Sequence, residues 1–280
     1  MPSVPVGCRP PLRVFNFDQT SISLFTRTVN LTDLSWQRIA ALAPDTPIVF
    51  PIAAIEQHGL HLPVATDSML LAEVVRRTSV LLPIESVLFG PLQWLGNSDH
   101  HLHFAGTLSA EPRGYIDMLN RMIDNAVQHG FRRIVFLNGH GGNDVPGRQA
   151  VFEARQRYRS RKDLLLLFTT YWDHAKPWFT RDDLVQRYMG HACEWETSMI
   201  QAIHPELVGD IDELEDVAAG FGFEPAYRGW ITDDRTVAGH IGCPRHASPE
   251  KGEHLFTVYA DSVAEFLRRV CDWDGQSFDR

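Results

Sequence analysis

The chain has 280 residues, 44% of them apolar and 22% charged, with a formal net charge of −9. That is an ordinary soluble, globular balance, and the acidic excess argues against a general polyanion binder such as a nucleic-acid protein. No apolar run reaches the ~18 residues a membrane span requires. The proline-rich stretch Met1 to Arg13 has no apolar core of a secretory leader, and Cys8, Cys193, Cys243 and Cys271 form no CxxC pair. A cytoplasmic chain without a disulfide scaffold or thiolate zinc site is expected.

Residues 1–30 lack clear periodicity and read as an N-terminal arm, leaving 31–280 as a single domain. Asn30-Leu31-Thr32-Asp33-Leu34 offers an N-cap for a helix over Trp36 to Ala43, closed by Pro44. Pro47 to Ile52 has the length and β-branching of a buried parallel strand. It runs into Glu56-Gln57-His58-Gly59-Leu60-His61-Leu62-Pro63, followed by Thr66-Asp67. Glu56 and His58 are two apart, so in extended backbone both leave on one side, and Gly59 and Pro63 turn the chain so that Asp67 can return. Two carboxylates and an imidazole at a strand end suit a divalent cation; the competing reading is a polar surface loop.

Ser68 to Leu82 predicts a helix with Leu70, Leu71, Val74, Val75 and Thr78 as its apolar stripe, and Ser86 to Leu92 a strand. His100, His101 and His103 follow; neighbours point apart in extended chain, so at most two share a face, and a role in the substrate pocket or in supporting the ligands weighs about equally with a plain structural loop. Glu111 to His129 predicts a helix closed by Gly130. Ile134 to Leu137 reads as a second strand, ending in Asn138-Gly139-His140-Gly141-Gly142-Asn143. A histidine among glycines at a strand end is poor core filler, and open α/β sheets place their sites beyond those ends. Asp144 to Tyr158 then predicts a helix and Leu164 to Tyr171 a strand. This alternation implies a mostly parallel sheet covered on both faces.

Trp172 to Arg187 is aromatic enough to line a pocket or simply to pack. His191 precedes a helix that carries Glu196 and runs to about Ile203; a histidine there is commonly a cap, although both side chains can point toward the strand ends. An acidic stretch at 210–216, glycine-rich residues 220–229 and a loop at 239–244 make an irregular excursion suited to a subunit contact. Ser248 and Pro249 start the last helix, which runs to about Arg269.

Laid side by side, four segments resemble the creatininase (creatinine amidohydrolase) family, in family order from about residue 45 to 210. They are Glu56-Gln57-His58-Gly59 with His61-Leu62-Pro63 and Thr66-Asp67; His101 with Gly106-Thr107-Leu108-Ser109; Asn138-Gly139-His140-Gly141-Gly142-Asn143; and His191-Ala192 with Glu196-Thr197-Ser198. The resemblance implies a three-layer α/β sandwich, one or two divalent ions (Zn, Mn or Fe), a small-molecule substrate and a homo-oligomer, a hexamer being favoured. By position it implies Glu56, His58, Asp67 and His140 as metal ligands, Asp67 as their bridge, and His191 as a catalytic histidine. Creatinine hydrolases carry an acidic ligand where Gly142 stands, so Glu196 is the candidate replacement, as ligand or as base. They also carry a tyrosine at Gly141, a glutamate at Gly190 and a tryptophan at Arg187, which argues against creatinine itself as substrate. His101, Trp172, Gly141 and Arg187 are the candidate substrate contacts, and Arg187 would suit an anionic substrate.

The expected chemistry is hydrolysis of an amide or cyclic amide by metal-activated water, with His191 serving the oxyanion or the leaving nitrogen. A deformylase, peptidase or cyclic-ketone hydrolase of the same family is the alternative, beside a non-catalytic metabolite binder. A dinucleotide enzyme is disfavoured because no GxGxxG opens the first strand–helix turn.

Overall fold

The computed structural model describes residues 30–218, 220, 223 and 225–278. The expected arm thus falls, apart from Asn30, outside the described residues. Four strands form one all-parallel sheet: β1 (Ile48–Ile52), β2 (Leu88–Phe89), β3 (Arg133–Asn138) and β4 (Leu165–Thr170), in the spatial order β2-β1-β3-β4. The helices are α1 (Trp36–Leu42), α2 (Thr66–Val80), α3 (Pro112–Gln128), α4 (Asp144–Arg157), α5 (Glu194–Ile203) and α6 (Pro249–Cys271).

Strand alternation sorts the core into two layers. Val49, Val135 and Leu137 pack with Leu70, Leu71 and Val74 of α2, Trp195 and Met199 of α5, and Phe256, Tyr259 and Val263 of α6. Ile48, Phe50, Ile52, Ile134 and Phe136 meet Tyr115, Leu119 and Ile123 of α3, Ala150 and Ala154 of α4, and Ile39 of α1. Because both faces are covered, the strands read as unbroken apolar runs. The result is the expected α/β fold, a parallel sheet between two helical layers.

Some boundaries differ for identifiable reasons. Residues 31–33 form a turn of 3-10 helix, and Ser35, whose hydroxyl accepts from Arg38 N, is the cap of α1. Only Leu88 and Phe89 of the expected 86–92 strand form a regular strand. Pro91 has no amide to donate, and the edge continues irregularly through Gly90 N to Val49 O (2.8 Å) and Gln93 N to Pro51 O (2.8 Å). Helix α2 starts two residues earlier than its apolar stripe suggests, which places Asp67 in its first turn. There the helix dipole favours a carboxylate. No described helix is long and apolar enough to cross a membrane.

Candidate metal centre

Beyond the carboxyl ends of β1 and β3, side chains distant in sequence meet in a buried cluster. Glu56, His58, Asp67, His140 and Glu196 are each at most 4% exposed. Among the described residues four triads have their ligand-type atoms within 4.8 Å of one another: Glu56–Asp67–His140 and His58–Asp67–Glu196, which share Asp67, and Glu56–His58–His191 and Glu56–His100–His101, which lack it. Asp67 joins the first two: its Oδ2 is 2.9 Å from His140 Nδ1 and its Oδ1 is 3.1 Å from His58 Nε2. Glu56 Oε2 stands 3.4 Å from His140 Nε2, and Glu196 Oε1 stands 3.7 Å from His58 Nε2.

Backbone carbonyls assign the proton on each imidazole. His58 Nδ1 donates to Glu56 O (3.1 Å) and His140 Nε2 donates to Asn97 O (2.9 Å). This leaves His58 Nε2 and His140 Nδ1 as bare lone pairs aimed at the Asp67 carboxylate. Acceptors so close repel unless a cation or proton lies between them. Glu56 Oε2, Asp67 Oδ2 and Glu196 Oε2 are likewise buried without a hydrogen-bond donor. Hard oxygen ligands, borderline nitrogens and orphaned acceptors fit one or two divalent ions.

Without a metal, protonation of the imidazoles offsets part of that repulsion. Burial pushes the His58 and His140 pKa values down, but Asp67 and Glu196 at the first and Glu56 and Asp67 at the second outweigh it, so both are held well above the ordinary histidine range. Burial pushes Glu56 up, yet His140, His101 and His191 hold its carboxyl well below the usual range. For Asp67, too, burial is overcome by His58, with a net lowering.

His191 lies just before α5, its ring between His58 (centroids 4.4 Å, tilted by 38°) and His101 (4.3 Å, stacked). Its Nε2 lies 2.7 Å from Gln57 O and 2.9 Å from the Gln57 side-chain amide nitrogen; the tautomer that donates to the carbonyl has a bare Nδ1 facing the site, 3.5 Å from Glu56 Oε1. Burial and the neighbouring His58 push its pKa down to about 4, which keeps it neutral. The turn that aims it is strained: Ala192 has φ +47°, a left-handed conformation costing an alanine about 1–3 kcal/mol.

The motif glycines explain the rearranged ligand set. A Cβ on Gly142 would lie 2.1 Å from Asn97 O and 2.5 Å from His140 Nε2, so no acidic side chain can enter there. A Cβ on Gly190 would meet Ile241 O at 2.2 Å, whereas one on Gly141 would meet nothing within 4 Å. Glu196, in the first turn of α5, reaches His58 instead, its Oε1 3.7 Å from Nε2.

In front of the cluster opens a cavity of about 640 Å³. His101, Gly141 and Trp172 line it, together with Glu56, Asp67, His140, His191 and Glu196. Arg187 does not: it is exposed and absent from the lining, because the segment before Met189 turns its flank outward. Its assignment as a substrate contact is therefore corrected. Residues that no sequence signal marked are Asn97, which anchors His140 and is itself held by Asn143 Oδ1 (2.9 Å), and Trp230 and Thr232 from the irregular excursion. His100 was visible only as part of the histidine run. Gln57, which the Glu56–Gly59 motif contains without a role of its own, places its side chain within hydrogen-bond distance of Gly59 N, Gly239 O, His101 Nδ1 and His191 Nε2.

A shared carboxylate between two His/carboxylate triads, at the carboxyl edge of a parallel sheet, defines a metal-hydrolase type of site. The profile of the creatininase family, described as creatinine amidohydrolase, matches residues 32–267, and the chain belongs to that family. It is similar to creatinine amidohydrolase of Pseudomonas putida, 29% identical over 259 residues, covering 87% of this chain and 97% of that protein. It also resembles the mycofactocin precursor peptide peptidase of Mycolicibacterium smegmatis, 28% identical over 228 residues, covering 79% of this chain and 84% of the other. Among solved structures, a mutant creatininase described as Zn–Zn type superposes with a TM-score of 0.74 at 27% identity, over 87% of this chain and 98% of its own. The chain is a creatininase-family hydrolase.

Proposed function

We propose that this hydrolase cleaves the carbon–nitrogen bond of an amide or cyclic amide at a metal centre held by Glu56, His58, Asp67, His140 and Glu196. The observation that carries the reading is Asp67, whose two oxygens each face a bare imidazole nitrogen at 2.9 and 3.1 Å. A divalent cation bound there supplies Lewis acidity and lowers the pKa of bound water to about 7. His191 moves the proton: its neutral Nδ1 can take one from the attacking water and return it to the leaving nitrogen. The strained Ala192 turn and the Gln57 carbonyl, which meets Nε2, hold the His191 ring in place. Glu196 serves as a ligand in this scheme, because its Oε1 belongs to the His58–Asp67 triad. Neither the choice among zinc, manganese and iron nor the number of ions follows from the donor set.

The peptidase alternative has one observation in its favour. A cavity of about 640 Å³ suits an extended, drug-sized ligand better than a small cyclic amide. Elemental analysis of the purified protein, followed by hydrolysis assays on lactams, formamides and short peptides, tests both readings. Bound metal with turnover of one class supports the proposal; full activity in metal-free protein contradicts it. A cytoplasmic homo-oligomer, with a hexamer favoured, belongs to the same proposal, and light scattering on the eluting protein tests the subunit count.

A further inference from the structure

The cavity has an aromatic wall that the hydrolytic chemistry leaves unused. Beyond the ligand cluster it is lined by Trp172, Met189 and Val145, and by Tyr227, Trp230 and Ile231 from the excursion after residue 205. Among the described residues that line it there is no lysine or arginine, while Asp99 adds a carboxylate.

Trp230 is held toward the metal centre. Its ring meets His100 edge-on at 5.1 Å, and His100 stacks on the ligand His140 at 6.0 Å with the planes 12° apart. Arg235 packs its guanidinium over the same indole at 4.6 Å, outside the cavity lining. Two residues along, buried Thr232 ties the segment down, its Oγ1 lying 2.8 Å from His100 O and 2.6 Å from His101 Nδ1. The indole is thus fixed to the backbone that carries the site histidines, yet belongs to a segment of the chain distant from every motif.

We propose that Trp230 is a specificity-determining residue: with Trp172 it seats a flat, apolar group that the substrate carries beyond the scissile bond. The wall discriminates against a negative charge on that group. An indole offers a large stacking surface at little entropic cost. A carboxylate placed against that wall would lose its water and share the cavity with Asp99, while the guanidinium of Arg235 is packed on the indole and, among the described residues, no lysine or arginine enters the lining. The proposal rests on the metal-centre reading above and names the substrate class for it.

The test is calorimetric binding of three hydroxamic acids, which chelate divalent metals, to the zinc-loaded full chain: acetohydroxamic, benzohydroxamic and 4-carboxybenzohydroxamic acid. The phenyl compound is expected to bind at least about tenfold tighter than the methyl compound, and about tenfold tighter than its carboxylate analogue. Trp230→Ala should shrink the phenyl advantage to below about threefold, while Trp230→Phe keeps most of it. Trp230→Leu makes the same comparison if the alanine variant does not fold. Equal binding of the phenyl and carboxyphenyl compounds, or an undiminished phenyl advantage without the indole, overturns the proposal alone. Failure of all three to bind overturns the metal-centre reading, and this proposal with it.

Discussion

The floor and the wall of the cavity hold their residues by different means. On the floor, Glu56 and His140 extend from adjacent parallel strands, and Asp67 sits in the first turn of the helix that packs on them. Register and core packing set their spacing before any ligand arrives, so the floor is as rigid as the sheet. On the wall, Trp230 and Thr232 belong to an irregular segment held by side-chain hydrogen bonds and ring contacts. A floor of that kind suits chemistry that must not vary, and a wall of that kind suits specificity that can.

Substitutions separate the two, starting with the largest expected effect. Asp67→Ala removes the carboxylate common to both triads; metal content should fall to background and turnover with it, as elemental analysis and assay would read. His191→Ala should keep the metal and lose about 10²- to 10⁴-fold in kcat, the usual worth of a general acid–base group. Loss of metal in that variant would make His191 a ligand instead. Gly142→Ala forces a methyl against Asn97 O and should destabilise the fold by about 1–3 kcal/mol, lowering the melting temperature. On the wall, Thr232→Val removes one buried hydroxyl and should cost about 1 kcal/mol, leaving metal content unchanged while weakening substrate binding. Arg187→Ala should do least, within about 0.5 kcal/mol of wild-type stability and with kcat/KM unaltered, because the residue lies outside the cavity.

The same division explains what the amino-acid sequence discloses. The candidate ligands are legible because apolar runs end abruptly in Glu56 and His140, and a strand that stops in a carboxylate or a glycine-flanked histidine must be leaving the core. The parallel sheet is legible from strand–helix alternation. Glu196 is harder, since its partnership with His58 depends on how α5 docks against the loop after β1, a contact spanning well over a hundred residues. The same long-range packing left Arg187 facing solvent, against expectation. Trp230 carries no local signal at all: it directly follows the glycine-rich residues 220–229, where no periodicity marks it, and only its contact with His100 reveals it. Asn97 is hidden similarly, because its contribution to His140 is a backbone carbonyl that any residue could supply.

Anomalous diffraction from crystals of the metal-loaded protein would test the central claim most directly. Peaks should appear between Asp67, Glu56 and His140, between Asp67, His58 and Glu196, or at both places, and Asp67→Ala crystals should show neither. An ion held by any other group of side chains, with this cluster bare in the same crystal, would contradict the account.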